Sequence, residues 1–280
     1  MNNEHSPWKA KLRQLKSDKR VIISLCILSI IGLFILIGPY FLPDYNLQIL
    51  EDQLQPPTRL HLLGTDDLGR DLFARILTGG RLSISVGIIA TIVSVIIGTL
   101  YGCISGFFGG KIDLYLMRIV DILYCLPYMF LVIILITLFG KDLYVLFLAL
   151  GMVQWLTVAR IVRGQTLALK NEEFIQAAFA LGVSKIRIIF RHLIPNVTGV
   201  VIVYATLTVP SVILQESFLS FLGLNVHPCT WGVLISEGKD YMETAWWLIV
   251  FPSFTITICL LSLNFLGDGL RDALDKKLHN

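Results

Sequence analysis

Six stretches of this chain carry no charged residue, or a single one, over lengths near the roughly 20 residues an α-helix needs to cross a hydrocarbon core of about 30 Å. They run from Val21 to Phe41, Leu82 to Phe108, Ile119 to Phe139, Leu143 to Val162, Val197 to Gln215 and Ala245 to Leu266. With 55% hydrophobic and only 15% charged residues, the 280-residue chain is far from the balance of a water-soluble domain. The expected fold class is all-α: a polytopic membrane protein with about six transmembrane helices.

The first stretch favours insertion by about 4 to 8 kcal/mol from its Val, Ile, Leu and Phe content. Lys9, Lys11, Arg13, Lys16, Lys19 and Arg20 precede it, as in a secretory signal peptide. The apolar run is too long for the hydrophobic region of such a signal, however, and Gly38-Pro39-Tyr40 offers no small-x-small cleavage site. An uncleaved anchor is the reading. An even number of spans puts both termini on one side, and placing them in the cytoplasm puts 17 of the 23 Lys and Arg residues there. That asymmetry is what the positive-inside rule requires. The expected organisation is a cytoplasmic segment 1–20, a first span 21–42, an outer loop 43–81, a permease core 82–268 and a cytoplasmic tail 269–280. A cytoplasmic connection, 164–196, interrupts the core.

The net charge of +3 follows from this sidedness and gives no reason to invoke nucleic acid. Cys26, Cys103, Cys125 and Cys259 fall inside spans and Cys229 stands alone in an outer loop, so no disulfide framework or metal-binding CxxC appears.

Two connections are long enough to hold structure. In the outer one, Thr65 or Asp66 can cap a helix, and Leu68, Leu72 and Ile76 recur at i, i+4 and i+8, which predicts a short helix against the membrane surface. Its acidic cluster around Gly69 lacks the EF-hand pattern, and no metal site is expected. The connection from Gly164 to Asn196 is too apolar to be a solvated linker. Asn171 can cap a helix starting at Glu172-Glu173, with Phe174, Ala178 and Leu181 on one face. Gly182 breaks the pattern. A second helix from Ser184 then puts Ile186, Ile189, Phe190 and Leu193 on a stripe among Lys185, Arg187 and Arg191, and Pro195 closes the segment. Such a helix, Gly, helix elbow fits a groove in a partner, and it is equally compatible with a surface hairpin.

The stretch Gln176-Ala177-Ala178-Phe179-Ala180-Leu181-Gly182, followed thirteen residues after its Gly by Pro195, resembles the EAA loop of ATP-binding-cassette importer permeases. Ile188 to Asn196, Leu63 to Asp71, Asp268 to Leu274 and Ser220-Phe221-Leu222-Gly223-Leu224 resemble the dipeptide, oligopeptide and nickel branch of that family, in its C-type membrane subunit. The resemblance implies that the loop contacts an ATPase through Glu172, Glu173, Gln176, Ala177, Ala178, Gly182 and Pro195. It also implies a paralogous B-type permease subunit, two ATP-binding subunits, an extracytoplasmic solute-binding protein, and a bacterial inner membrane with its lipid as surroundings. Where the family usually has Glu, this chain has Gln176, whose neutral amide can still hydrogen-bond the ATPase, while Glu172 or Glu173 is expected to supply the missing charge.

No G-x-x-x-x-G-K-[ST] occurs, so this chain is expected to bind no cofactor, with ATP and Mg held by partner subunits. It is not expected to be an enzyme. Its cargo by resemblance is a di- or oligopeptide, with nickel or another small solute as the alternative. Gly98, Gly102, Gly106 and Gly110 recur every four residues and predict a close helix contact, either plain packing or a sliding surface for gating. Pro127 and Pro210, with Pro252, can kink spans for gating, and Glu216 at the outer end of the fifth span is a candidate gate or path residue. Gln154, Thr206, Thr208, Ser253, Thr255, Thr257 and Asn264 complete the polar groups available to a path. A secondary transporter is disfavoured because no central ionisable relay is visible in the spans, and a membrane enzyme because no catalytic constellation is.

Overall fold

The computed structural model describes residues 17–225, 227 and 229–275. Lys9, Lys11, Arg13, Lys16, Lys276 and Lys277, which entered the charge distribution above, lie outside the described residues. The described residues form helices joined by turns and irregular connections, with a single isolated Thr65–Asp71 bridge and no strand among them. Helix α1 (Lys19–Ile37) starts where Asp18 accepts from the backbone N–H of Arg20 at 2.9 Å. Its other end is shaped by Pro39, which has no N–H to give to the Ile35 carbonyl four residues back. Arg81 supplies the missing donors: Nε donates to the Ile35 carbonyl at 2.8 Å and Nη2 to that of Leu36 at 2.6 Å.

The surface helix expected around Leu68 to Ile76 is absent as a separate element. Helix α2 (Leu72–Phe108) begins at Leu72 and continues through the second span for 37 residues, about 56 Å. The cap is Asp71, whose Oδ1 accepts from Ala74 N–H at 2.9 Å. Thr65 and Asp66 do not cap it, because Asp66 Oδ1 is taken by the N–H groups of Leu68 and Arg70 in the preceding turn. Gly109 and Gly110, at φ +65° and +54°, end α2 and redirect the chain.

The third span is broken where a single helix was expected. Helices α3 (Gly110–Cys125) and α4 (Tyr128–Phe139) meet at 89°. Leu126 is held extended by the proline that follows it, and Pro127 cannot donate to the ladder. Helix α5 (Leu143–Leu169) is capped by Asp142 and runs seven residues beyond the expected Val162. Helices α6 (Glu173–Ala180) and α7 (Lys185–Ile188) lead through a π-helical turn, Ile189–Leu193, into α8 (Ile194–Phe221). Pro195 therefore does not close the segment. It sits in the first turn of α8, where a missing N–H is tolerated, and the wider π turn before it avoids a clash with the preceding carbonyls.

Helices α9 (Trp231–Gly238) and α10 (Trp247–Asp275) complete the chain, α8 and α10 passing through Pro210 and Pro252 without a break in helix. Among the described residues, five runs are long and apolar enough to cross a membrane, or six when the bent α3–α4 pair counts as one. Thr206, Thr208, Thr255 and Thr257 each donate to a carbonyl of their own helix, so these hydroxyls are satisfied locally.

The chain divides into two compact units. One comprises the described residues up to Ile88 with Val209–Gly269, and its core gathers Leu72, Ile76, Ile213, Trp231, Leu248 and Ile256. Trp231 Nε1–H donates to the Ile76 carbonyl at 2.9 Å and Trp247 Nε1–H to that of Thr65 at 3.2 Å. The other unit comprises Ile89–Thr208 with the helix from Leu270, and its core gathers Cys103, Phe107, Val158, Ile175, Ile188 and Leu193.

Candidate functional site

The elbow is anchored from one side and open on the other. Ile175 and Ala178 of α6 are buried with Ile188, Ile189 and Leu193 against Phe107 and Val162, and the Phe179 ring stacks on that of Phe107 at 5.6 Å. The expected apolar face of Phe174, Ala178 and Leu181 is thus rotated: Ala178 is buried, whereas Phe174 and Leu181 point outward. On the second arm, Ile189 and Leu193 are buried, and Ile186 and Phe190 are exposed. Four large apolar side chains, Phe174, Leu181, Ile186 and Phe190, therefore project from a fixed scaffold, with Lys185, Arg187 and Arg191 exposed among them.

Gly182 sets the angle between the arms. It takes φ +75°, its N–H donates to the Phe179 carbonyl at 3.0 Å, and Val183 N–H donates to that of Ala178 at 3.1 Å. This pair of bonds is the Schellman closure of α6, with the usual apolar contact between Val183 and Ala178. A Cβ at Gly182 meets no atom within 4 Å, so the restraint is conformational rather than steric. Gly182→Val is expected to destabilise the elbow by about 1–2 kcal/mol and Gly182→Asn by much less, read as faster proteolysis of the loop in the valine variant.

Gln176 is exposed on α6. Its Nε2 donates to the Lys170 carbonyl at 2.9 Å, tying α6 to the end of α5. Asn171 does not cap α6 either: its Nδ2 reaches back to the Leu167 carbonyl, and Glu172 occupies the cap position without a side-chain bond. Glu172, Glu173 and Ala177 are exposed, and Pro195 is exposed at the start of α8.

The elbow rests on a seam of glycines. A Cβ at Gly98 would lie 2.6 Å from Val158 Cβ, and one at Gly106 would lie 2.9 Å from the Arg163 carbonyl. At Gly102 it would press on the backbone of Ala159 and Arg163. Gly110 does not belong to this seam: it follows the end of α2 and meets nothing within 4 Å. Beside the seam, Arg163 grips Asp113 with Nε and Nη2 at 2.5 and 2.6 Å, and Ser105 donates to the same carboxylate at 2.5 Å. Sequence reading missed this fork, since its partners lie fifty residues apart.

In the other unit, Asp66 is 3% exposed and its Oδ2 accepts from Arg70 Nε at 2.7 Å and Arg75 Nη1 at 2.5 Å. Arg75 Nη1 also donates to Glu237 at 2.8 Å. The acidic cluster around Gly69 is thus an ionic hub with two arginines. Tyr241 donates to Asp67 at 3.3 Å, and that carboxylate raises its phenol above the ordinary range. Glu216 is 1% exposed and accepts from Ser220 at 2.7 Å and Ser83 at 3.3 Å, so in this unit it is enclosed rather than open to a path. Burial raises the Cys229 thiol above its usual range, and its Sγ–H donates to the Arg75 carbonyl.

Residues 98–280 match the family model described as the binding-protein-dependent transport system inner membrane component. The chain belongs to this family. Residues 6–57 of the permease also match the N-terminal TM domain of oligopeptide transport permease C. It is 48% identical to the oligopeptide transport system permease protein OppC of Haemophilus influenzae over 97% of this chain and 89% of that protein. It is also 43% identical to the dipeptide transport system permease protein DppC of Bacillus subtilis, over 95% of this chain and 84% of that one. The permease is accordingly an inner-membrane, multi-pass protein, and the region with the elbow and the seam lies within the larger match.

Proposed function

We infer that this permease carries di- or oligopeptides inward and that its elbow receives the motion of a separate ATP-hydrolysing subunit. The observation that carries the coupling role is the outward set of Phe174, Leu181, Ile186 and Phe190, bordered by three cations, on a hairpin whose opposite face is packed. Four large apolar side chains on one short elbow are what a partner's groove covers. The substrate reading is supported by relatives named for oligopeptide and dipeptide transport. It places this chain beside a B-type permease subunit, two ATP-binding subunits that hold ATP and Mg, and a solute-binding protein on the outer face. Both termini lie in the cytoplasm, with the elbow on that side, in keeping with the distribution of basic residues.

Within the ATPase contact, Glu172 and Glu173 supply the negative charge and Gln176 serves as an internal tie. The α2–α5 seam passes elbow movement to the spans. The test is ATP hydrolysis by the assembled transporter with Leu181→Asp and Ile186→Asp together. Both side chains are exposed, so the chain still folds and inserts. Substrate-stimulated hydrolysis is expected to fall at least tenfold; unchanged stimulation refutes the docking role.

A further inference from the structure

Helix α3 buries little of itself within this chain. Val120 is the one fully buried residue of its sixteen, whereas α5 buries ten of its twenty-seven. Val120 clusters with Trp155, Leu156 and Ala159 of α5, so the apolar contact belongs to the second half of α3. The Asp121–Arg160 ion pair and the Tyr124–Thr157 hydrogen bond lie in that half too. The first turn has a different anchor. Among the described residues its only side-chain tie is Asp113, gripped by Arg163 of α5 and Ser105 of α2. Seven residues, about 10 Å, separate this grip from Val120. At 33% and 14% exposure, Arg163 and Asp113 are better shielded from salt than Arg160 and Asp121, at 42% and 52%. The two parallel bonds of the fork also fix an angle, which a single bond does not.

Arg163 stands where the elbow is seated. Val162 beside it, and Phe107 two residues after Ser105, pack against the buried face of the elbow, Ile175, Ile188 and Leu193. The Arg163 backbone lies in the glycine seam, against Gly102 and Gly106. We propose that Arg163 is a positioning residue for transport: through Asp113 it makes the first turn of α3 move as one body with α5 when the ATPase displaces the elbow. This rests on the docking reading above. The seam carries α2 along, since its glycines face α5, but it does not reach α3. The fork adds α3, and with it the 89° break to α4, which packs along α5 beyond Pro127. Without the fork, the first turn of α3 is left behind and ATP is spent without moving the broken span.

The test compares the assembled transporter, reconstituted in vesicles with its solute-binding protein, carrying Arg163 or Arg163→Gln. Uptake of labelled trialanine and ATP hydrolysis are read on the same preparation. Arg163→Gln is expected to keep at least half of the hydrolysis and to raise the ATP spent per tripeptide at least fivefold. Arg163→Lys, which keeps the charge but loses the fork, is expected to fall between. Uptake and hydrolysis that decline together, at an unchanged ratio, assign the fork to assembly alone and overturn the proposal. Ser105→Ala removes one bond of three and leaves the ion pair, so it decides the matter where Arg163→Gln does not assemble. Its ratio is expected to rise at least twofold, and a wild-type ratio overturns the proposal.

A second arm reads the movement without a peptide. Cys26→Ser and Cys125→Ser remove the exposed thiols, and spin labels are placed through Lys111→Cys in the first turn of α3 and Met152→Cys on α5, both exposed positions. With Arg163 present, the separation of the labels is expected to be the same in the nucleotide-free transporter and in one trapped with ATP and vanadate. With Arg163→Gln it is expected to change by several ångströms on trapping. A change in the presence of Arg163, or none in its absence, overturns the proposal. The Leu181→Asp, Ile186→Asp chain tells this failure from that of docking. Unchanged hydrolysis in that chain refutes the docking reading, whereas hydrolysis lost there with an unchanged ratio in Arg163→Gln refutes the fork alone.

Discussion

Asp66→Ala is expected to destabilise the permease by about 3–5 kcal/mol, the loss typical of breaking a buried ion pair from one side. The alanine removes the acceptor for Arg70 Nε and Arg75 Nη1 together with the turn-closing acceptor for Leu68 and Arg70 N–H. Arg75, at 2% exposure, then loses the buried one of its two carboxylates and keeps Glu237, a residue 41% exposed. Asp66→Asn restores the turn but presents an NH2 group to two guanidinium groups, so it recovers little. Thermal unfolding in detergent reads this as a large fall in the midpoint for both variants. A midpoint equal to wild type in the alanine variant contradicts the hub's role in holding the connection before α2 to α2 and α9.

Gly102→Leu is expected to abolish both assembly and transport. The leucine needs room where a Cβ alone would already lie 2.8 Å from Val162 Cβ and 2.9 Å from the Arg163 backbone nitrogen. Overpacking of this kind costs about 1–3 kcal/mol when side chains can shift, and more when the obstruction is backbone, as it is here. Gly32→Leu is the control, since a Cβ on Gly32 meets nothing within 4 Å. Membrane yield and peptide uptake of the two variants separate a packing contact from a general intolerance of leucine. Normal uptake by the Gly102 variant removes the seam from both packing and gating.

The membrane-crossing helices were legible because charge-free runs report directly on the solvent, and a bilayer demands them over a known length. The elbow was legible for a different reason: Gly182 and the apolar spacing around it mark a left-handed helix stop. Which face the elbow buries was not, because Phe174 and Ile175 are adjacent and equally apolar. Choosing Ile175 depends on Phe107 and Val162, distant in sequence. The start of α2 was misplaced for a similar reason. Thr65, Asp66 and Asp71 are all good caps, and the choice falls on Asp71 because Asp66 is spent on the N–H groups of Leu68 and Arg70 and on the Arg75 guanidinium. The regular spacing of Gly110 misled because Gly109 had already ended the helix. Asp113 and Arg163 escaped notice because nothing local joins residues fifty positions apart. Pairings of that kind require the fold.

The most direct test of the central claim is uptake of a labelled oligopeptide mixture by cells whose copy of this permease is deleted and which have no second peptide importer. Restoring the wild-type chain is predicted to restore uptake. Restoring the membrane-inserted Leu181→Asp, Ile186→Asp chain is predicted not to, because its elbow no longer seats in an ATPase groove. Uptake that survives the deletion, or that the elbow variant restores in full, contradicts an ATP-driven peptide permease coupled through this segment.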